Sequence, residues 1–237
     1  MYLKEKPIII LAGGFGTRLK SYLDGKPKPL VNINGKPFLD YILKNLVDNG
    51  FNNFIFSLHY KSQLIIEYLN ARKHDILINC NVEYYVEDTP LGTGGAVSYI
   101  ISQANIIDDF YVWNADTWIK DKLFKLRELE TNVIALIEVE NSDRYGKVQM
   151  NSENIITNFV EKGDDLGKGL INAGFYKFSH RIFENIEKIS YSLESDLFPI
   201  LIKNKEIRGF ILNTEFIDIG VPVDYLRFCE LNREFKE

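Results

Sequence analysis

Hydrophobic residues fall into short runs that are separated by longer amphipathic stretches. The runs are rich in β-branched and aromatic residues and cover residues 8–11, 54–58, 82–86, 110–113 and 133–139. Continuous apolar runs of this length predict strands that are buried on both faces of a sheet.

The stretches between these runs have helical spacing. Residues 37–50 place Phe38, Tyr41, Ile42 and Leu46 on one face, and Gly50 follows as a residue that ends a helix. Similar spacing predicts helices over 63–69, 96–104 and 119–130. Strands that alternate with helices predict an α/β, Rossmann-like mixed sheet, mostly parallel, with helices on both faces.

The pattern changes after about residue 140. Residues 147–150 and 155–163 predict paired strands around a turn at 151–154, which indicates a small antiparallel excursion around 140–175. A strand at 171–178, a helix at about 195–203 and a strand ending in "FIDIG" follow. We find no low-complexity linker and no internal repeat, so residues 1–237 are expected to form a single domain.

Composition excludes several classes of protein. The 237 residues carry a formal net charge of -5, and their lysines and arginines are scattered rather than clustered, so no nucleic-acid surface is expected. The apolar run near the start is too short to span a membrane and follows no signal-peptide pattern. Two distant cysteines, without CxxC spacing, argue against a zinc site or a disulfide framework and favour a reducing cytoplasm.

The first strand runs into a glycine-rich loop, "LAGGFGTRLK". Bare glycine backbone and the guanidinium of Arg18 make a plausible phosphate cradle. The loop lacks the Gly-Lys-Ser/Thr of a P-loop, and Leu19 stands where a dinucleotide fingerprint needs a glycine. An ordinary strand-to-helix turn is the alternative interpretation.

Polar residues follow other predicted strands at the edge where ligands bind in such sheets. Lys28 lies between two prolines in "KPKPL", Asp116 follows the strand at 110–113, and Asp218 lies in "FIDIG". Two aspartates at adjacent strand ends form a reasonable Mg²⁺ pair. A solvated lysine and an aspartate that caps a helix are the alternatives.

Further candidates lie in three short segments. "EDTPLGTGGAV" is a second glycine-rich turn that opens a helix, whose first N–H groups are candidates for ligand contact. "VEKG" offers Glu161 and Lys162, which otherwise form a solvated ion pair. "INAGFY" offers Asn172 and Gly174, and Asn172 is also suited to cap local backbone.

Taken in order, these motifs resemble the nucleotidyltransferase family that makes nucleotide sugars, over nearly the whole chain. The match runs LAGGxGTRL, PKPL, GTGGA, a strand ending in Asp116, EK, NAG, and a strand ending in Asp218. "PKPLVNINGKPFLDYIL" and "PLGTGGA" look most like the family's guanylyltransferases that act on a heptose 1-phosphate. The resemblance implies GTP and a heptose 1-phosphate as substrates, Mg²⁺ as cofactor, and a role in bacterial capsule, lipopolysaccharide or S-layer glycan synthesis.

The resemblance also implies roles for individual residues. The base and ribose would contact the backbone of Leu11, Ala12, Gly13 and Gly14, and the triphosphate would contact Gly16, Thr17 and Arg18. Lys28 would stabilise the α-phosphate, and Asp116 and Asp218 would bind Mg²⁺. Lys162 would meet the phosphate of the sugar, whose pocket would be formed by Gly92, Glu161, Asn172 and Gly174. Gly92 would also contact the nucleotide. The three histidines lie outside every motif.

The identity of the nucleotide base is the least constrained part of this prediction. Glu87 stands five residues before Gly92, where thymidylyl- and uridylyl-specific relatives tend to have glutamine. Guanine offers two adjacent donors that a carboxylate accepts as a pair, so we hypothesise that Glu87 contributes to the choice of GTP. The alternative is a solvated charge at a strand end, with backbone groups selecting the base.

Three rival functions remain open at this stage. The same fold serves mannose 1-phosphate with GTP, or glucose 1-phosphate with UTP or dTTP. A catalytically silent nucleotide-sugar-binding regulator would not need the phosphate and metal residues that are present here. A glycosyltransferase more often carries an Asp-x-Asp motif, whereas "NADTW" has one aspartate. The sequence leaves open whether the chain forms a homo-oligomer.

Overall fold

A computed structural model describes residues 6–120, 123, 125–142, 144–160 and 167–233. Within them, the strands are β1 (Ile8–Leu11), β2 (Asn32–Ile33), β3 (Lys36–Pro37), β4 (Asn53–Leu58), β5 (Asn81–Val86), β6 (Asp109–Asn114), β7 (Thr117–Ile119), β8 (Val133–Val139), β9 (Lys147–Met150), β10 (Ile156–Val160), β11 (Gly169–Ser179), β12 (Arg208–Ile211) and β13 (Phe216–Asp218). The helices are α1 (Phe38–Asp48), α2 (Ser62–Arg72), α3 (Gly92–Gln103), α4 (Lys125–Glu128), α5 (Phe198–Lys203) and α6 (Pro222–Leu231).

The main sheet is mixed, as expected. Four strands lie parallel in the order β5-β4-β1-β6, with β1 between β4 and β6. The long strand β11 then pairs antiparallel with β6, β8 and β9, and β10 and β12 extend the sheet beyond them. The antiparallel excursion is therefore a continuation of the main sheet, since β11 joins it to the parallel strands.

The core lies on both faces of this sheet. Alternate residues of β1 point to opposite faces, so that Ile8 and Ile10 pack in one cluster and Ile9 packs in the other. On the first face α1 contributes Phe38 and Leu46, and on the second α3 contributes Val97. Burial on both faces explains why these strands are continuous apolar runs rather than alternating ones.

The predicted helix over 119–130 is wrong in its first part. Residue 119 ends β7, which pairs antiparallel with β13 and brings Asp218 opposite Thr117. Within the described residues of this segment, α4 covers only Lys125–Glu128. Pairing with a strand about a hundred residues later outweighs the local helical spacing, because Ile119 and Ile217 are both buried by it.

Two other elements differ in detail from the prediction. The helix expected over 195–203 is α5, and it is preceded by one π-helical turn at Leu193–Leu197. Asp218 ends a strand of the small β7–β13 sheet rather than a strand adjacent to β6 in the main sheet. Among the described residues, no helix combines the length and apolar character required to cross a membrane.

Candidate active site

A pocket of about 300 Å³ opens at the carboxyl ends of the parallel strands. This is the edge at which open α/β sheets bind ligands. Predicted site residues that line it are Leu11, Ala12, Gly13, Gly14, Lys28, Glu87, Gly92 and Asp116. The loops after β1 and β6 share this pocket, as their parallel pairing predicts, since Leu11 lies opposite Asn114.

Lys28 and Asp116, which line the pocket, form a charged cluster with Asp218, which lies outside the lining. The Lys28 ammonium donates to Asp116 Oδ2 at 2.7 Å and lies 3.8 Å from Asp218 Oδ1. Lys28 is buried although it is a lysine, because Pro27 and Pro29 hold it in a short 3-10 helix at the base of the pocket. The cluster therefore brings together three residues that are up to 190 positions apart (218 − 28) in sequence.

The two aspartates fit a divalent cation. The pKa of Asp218 is raised to about 6, mainly by burial and then by the charge of Asp116, while Lys28 and Arg18 oppose the shift. Asp218 is held in place by the Gly220 N–H, which donates to its Oδ1 at 2.7 Å. In the described part of the chain, no three acidic, histidine or cysteine side chains form a metal-binding group. A cation here would need ligand oxygens besides the two carboxylates, which is how Mg²⁺ is commonly bound with phosphates.

The first glycine loop packs against Lys28 of this cluster through Gly16. The residue has a φ of 63°, and a Cβ there would lie 3.0 Å from Lys28 Cβ. Glycine therefore permits both the left-handed backbone and the close approach of the lysine. Thr17 and Arg18 follow in an exposed 3-10 helix, Thr17–Tyr22, and neither lines the pocket.

Glu87 also lines the pocket and is buried, with 7% of its surface exposed. Ser57 Oγ donates to its Oε1 at 2.5 Å, and the Leu91 N–H donates to its Oε2 at 3.0 Å. The alternative of a solvated charge at a strand end is therefore wrong. A carboxylate has about four acceptor sites, so both oxygens retain further accepting capacity.

The second glycine turn is not the open ligand cradle that the sequence suggests. The N–H groups of Gly94 and Gly95 both donate to the Tyr191 carbonyl, at 3.0 and 3.2 Å. A Cβ at either glycine would lie within 2.4 Å of an atom of Tyr191 or Ile189. The glycines of α3 thus admit a crossing segment, residues 189–194, which we call the strap.

The strap also fixes a pocket residue. The Thr93 hydroxyl donates to Glu194 Oε2 and accepts from the Leu193 N–H, each at 2.9 Å. The hydroxyls of Ser98 and Tyr191 lie 2.5 Å apart in a second contact between α3 and the strap. The wall of the pocket formed by Gly92 and Thr93 is therefore held from behind by protein contacts.

Asn172 and Gly174 lie on β11, which pairs directly with β6. Asn172 Oδ1 accepts from the Gly174 N–H at 2.9 Å, and its amide donates to the buried Tyr176 hydroxyl at 2.8 Å. Asn172 thus makes the local backbone contact that was its alternative role. A Cβ at Gly174 would lie 2.9 Å from Asn114 Nδ2 and 3.1 Å from Thr117 Oγ1, so this part of β11 packs against Asn114 and Thr117 without lining the pocket. Glu161 and Lys162 lie outside the described residues.

The profile of the Nucleotidyl transferase family matches residues 7–233. The chain belongs to this family. It is 37% identical to the D-glycero-alpha-D-manno-heptose 1-phosphate guanylyltransferase of Campylobacter jejuni over 224 residues, which cover 93% of this chain and 97% of the relative. It is also 37% identical over 224 residues to the enzyme of that name from Aneurinibacillus thermoaerophilus, covering 92% and 94% of the two chains.

A solved structure also resembles this nucleotidyltransferase in fold and sequence. The crystal structure of HddC from Yersinia pseudotuberculosis complexed with GMP-PN superposes with a TM-score of 0.81 and 37% identity. The superposition covers 96% of this chain and all of that one. The fold and the family predicted from the sequence are therefore confirmed.

Several pocket residues of this nucleotidyltransferase were missed by sequence reasoning. Those at strand ends or in the loops that follow are Phe15, Ser57, His59, Pro90, Asn114 and Ala115. The others lie in helices and are Pro29, Thr93 and Ala96. Ser57 and His59 end and follow β4, so the rule that ligands bind at carboxyl ends applies to them as it does to Asp116. His59 had been set aside because it lies in no motif, yet its Nδ1 lies 2.9 Å from the Glu87 carbonyl oxygen.

Proposed function

We propose that this nucleotidyltransferase joins GTP to D-glycero-α-D-manno-heptose 1-phosphate, giving the GDP-heptose and pyrophosphate. The observation that carries the reaction class is the convergence of Lys28, Asp116 and Asp218 in one charged cluster at the pocket. The choice of GTP and heptose rests on the 37% identity to guanylyltransferases of that name across almost the full length of both chains.

The chemistry needs positioning and charge neutralisation more than proton transfer. An oxygen of the sugar phosphate attacks the α-phosphorus of GTP, forming one P–O bond, while the bond to the β-phosphate oxygen breaks and pyrophosphate leaves. The attacking group is already an anion at neutral pH, so no general base is required. Enzymes accelerate such transfers by holding the reactants in line and stabilising the spreading negative charge.

Lys28 is proposed to stabilise the α-phosphate. Its ammonium is buried among carboxylates at the phosphate end of the pocket, where an interaction with a developing charge is stronger than in water. The adjoining loop, with Gly16, Thr17 and Arg18, is suited to the triphosphate because Arg18 adds a permanent charge close enough to influence Asp218. Leu11 to Gly14 line the same pocket by their backbone and are suited to the nucleoside.

Asp116 and Asp218 would hold the divalent cation, which we propose is Mg²⁺. When bound, the cation neutralises charge on the phosphates and orients them. The two carboxylates need such a partner because their mutual repulsion and burial disfavour the doubly charged pair.

Glu87 is proposed to select guanine. Its carboxylate is buried at the nucleoside end and is oriented by Ser57 and by the Leu91 backbone. A fixed carboxylate accepts the paired N1–H and N2–H donors of guanine, whereas the Watson–Crick edge of uracil presents one donor between two acceptors.

The sugar phosphate is proposed to lie beside Asp116, towards β11. Gly92 lines the pocket, and Asn172 and Gly174 lie on β11, which pairs with β6. Lys162 and Glu161 are proposed from sequence as its phosphate and sugar contacts. Because the substrates include a nucleoside triphosphate, we place the reaction in the cytoplasm.

The test is pyrophosphate release by the purified protein with Mg²⁺. GTP, UTP, dTTP, CTP and ATP are crossed with heptose, mannose and glucose 1-phosphates. Turnover confined to GTP with the heptose 1-phosphate is expected. Faster turnover with another pair would overturn the proposed substrates and keep the reaction class, and no turnover with any pair would overturn the reaction class.

The role of Glu87 is tested in the same assay with Glu87→Gln. The ratio of kcat/KM for GTP to that for UTP is expected to fall by about tenfold or more, since one paired acceptor is lost. Glu83→Gln, on the strand that ends just before Glu87 and outside the lining of the pocket, is the matched control. An unchanged ratio in Glu87→Gln would refute the assignment.

A further inference from the structure

Phe15 is an exposed aromatic side chain on the first glycine loop. Half of its surface, 50%, is open to solvent, although it lies within the wall of the pocket. It stands between Gly14, whose surroundings are open, and Gly16, which packs on Lys28. An apolar ring kept exposed in a ligand pocket suggests a surface for a ligand rather than part of the protein core.

Two further aromatic rings support Phe15 from the side. Its ring meets His59 edge-on at 5.7 Å between centroids, and it meets Tyr60 at 5.3 Å with a tilt of 46°. Backbone hydrogen bonds join the same two segments, from Ala12 N–H to the Ser57 carbonyl and from Tyr60 N–H to the Gly13 carbonyl. Phe15 is therefore held in a defined position against the segment that follows β4.

These contacts place Phe15 at the nucleoside end of the pocket. His59 Nδ1 lies 2.9 Å from the Glu87 carbonyl oxygen, and a Cβ on Gly13 would lie 3.6 Å from Glu87 Oε1. Since a carbonyl only accepts, the His59 Nδ1 carries the hydrogen, which fixes the orientation of the ring that Phe15 packs on. Phe15 thus belongs to the Glu87 end rather than to the cluster of Lys28 and Asp116.

We propose that Phe15 stacks on the base of the bound nucleotide and favours purines over pyrimidines. The inference rests on the proposed nucleotide-binding function and adds a residue that determines specificity. Aromatic side chains stack on the π-face of any base, and a two-ring purine covers more of a phenyl ring than a one-ring pyrimidine does. Glu87 would then form hydrogen bonds with the edge of the base, while Phe15 would favour the larger stacking surface of a purine.

Calorimetric titrations with GTP, UTP and inorganic tripolyphosphate, each with Mg²⁺, test this proposal. In Phe15→Ala the Kd for GTP is expected to rise about tenfold and that for UTP by a smaller factor, while tripolyphosphate binding stays unchanged. Phe15→Tyr, which keeps the aromatic ring, should bind GTP and UTP like the wild type. Ile107→Ala, an exposed side chain outside this pocket, is the matched control.

The outcomes separate this inference from the proposed function. Equal losses for GTP and UTP, a loss for tripolyphosphate, or an unchanged Kd for GTP would each overturn the role of Phe15 while leaving the nucleotidyltransferase activity in place. If the wild type binds no nucleotide and shows no turnover, the proposed function itself fails. Should Phe15→Ala fold poorly, Phe15→Leu keeps the apolar bulk without the ring and is expected to show the same order of losses.

Discussion

The two glycine-rich turns look alike in sequence and differ in the structure. In the first, residues 11–18, Gly14 has open surroundings and the backbone lines the pocket. In the second, residues 87–97, the space beside Gly92, Gly94 and Gly95 is filled by the strap. A glycine run after a strand therefore indicates that something approaches the backbone closely, and the approaching group is as readily protein as ligand.

The difference has consequences for what each turn contributes. The first turn adjoins a cluster of like and opposite charges, because Gly16 packs directly on Lys28. The second turn has its helix N–H groups satisfied by the Tyr191 carbonyl. Substitutions near the first turn should therefore change catalysis or ligand binding, and substitutions in the second should change the free energy of unfolding.

The largest effect is expected for Lys28→Ala, which removes the charge that the first turn supports. Loss of a positioned cation at developing phosphate charge lowers kcat by about 10²–10³-fold. Steady-state rates of pyrophosphate release measure the loss, and Lys73→Ala, an exposed lysine outside the pocket, is the control. A kcat within threefold of the wild type would show that the first turn does not serve the chemistry in this way.

Gly92→Ala should produce the largest loss of stability. Its φ is 72°, and a Cβ there would lie 2.5 Å from the Tyr191 carbonyl oxygen, a backbone atom. The strained backbone and the steric overlap together should lower the free energy of unfolding by about 2–4 kcal/mol. Urea unfolding measures it, and a variant as stable as the wild type would show that the strap does not press on this turn.

Asp218→Asn is expected to change the free energy of unfolding by a smaller amount, and to raise it rather than lower it. In the folded protein the pKa of Asp218 is raised from 3.8 to about 6, so the folded state holds this proton more tightly than the unfolded chain does. The free energy of unfolding therefore falls as the pH rises from 3.8 to about 6, because Asp218 ionises less readily in the folded state. Asparagine carries no charge and still accepts from the Gly220 N–H, so the variant should be more stable at pH 7 by about 1–3 kcal/mol, where about 3 kcal/mol is the full value of a pKa shift from 3.8 to about 6.

Urea unfolding at a series of pH values in the presence of EDTA measures this difference. The gain of Asp218→Asn should be full above about pH 6 and should disappear as the pH falls to about 4. Asp108→Asn, which changes an exposed carboxylate, is the control and should show no gain. A variant that is less stable than the wild type at pH 7 would contradict the account of a strained charge cluster.

Gly14→Ala should have the smallest effect on stability. A Cβ there meets no atom within 4 Å, so the free energy of unfolding should change by less than about 0.5 kcal/mol. Nucleotide affinity should fall instead, because the methyl group occupies the surface that the ligand approaches. Calorimetric titrations with GTP compare the affinity of Gly14→Ala with that of Gly92→Ala. A large loss of stability in Gly14→Ala would remove the distinction between the two turns.

Local pattern predicted much of the fold. The strands at 8–11 and 133–139 were predicted to the residue, and α1 ends before Gly50 as its spacing indicated. The rule that ligands bind at the carboxyl edge predicts one crevice for the loops after β1 and β6, and Leu11 and Asp116 do line one pocket. These features depend on neighbours in sequence or on parallel pairing, which periodicity reveals.

Contacts between distant segments could not be predicted in this way. The pairing of β7 with β13 and the strap across α3 each join residues about a hundred positions apart, and neither has a periodic signal. Ser57 and His59 were missed because single side chains near a strand end carry no motif, and Phe15 was missed because it occupies the variable position of the first motif. The sugar contacts Asn172, Gly174, Glu161 and Lys162, the metal identity and the single domain remain predictions.

The most direct test of the account is the rate of pyrophosphate release from GTP and D-glycero-α-D-manno-heptose 1-phosphate by Asp116→Asn at saturating Mg²⁺. The variant keeps the shape of the side chain and removes one of the two charges that face Lys28. We predict a loss of at least about 100-fold in kcat, with Asp108→Asn unchanged. A rate within threefold of the wild type would contradict the claim that the cluster of Lys28, Asp116 and Asp218 is the site of nucleotidyl transfer.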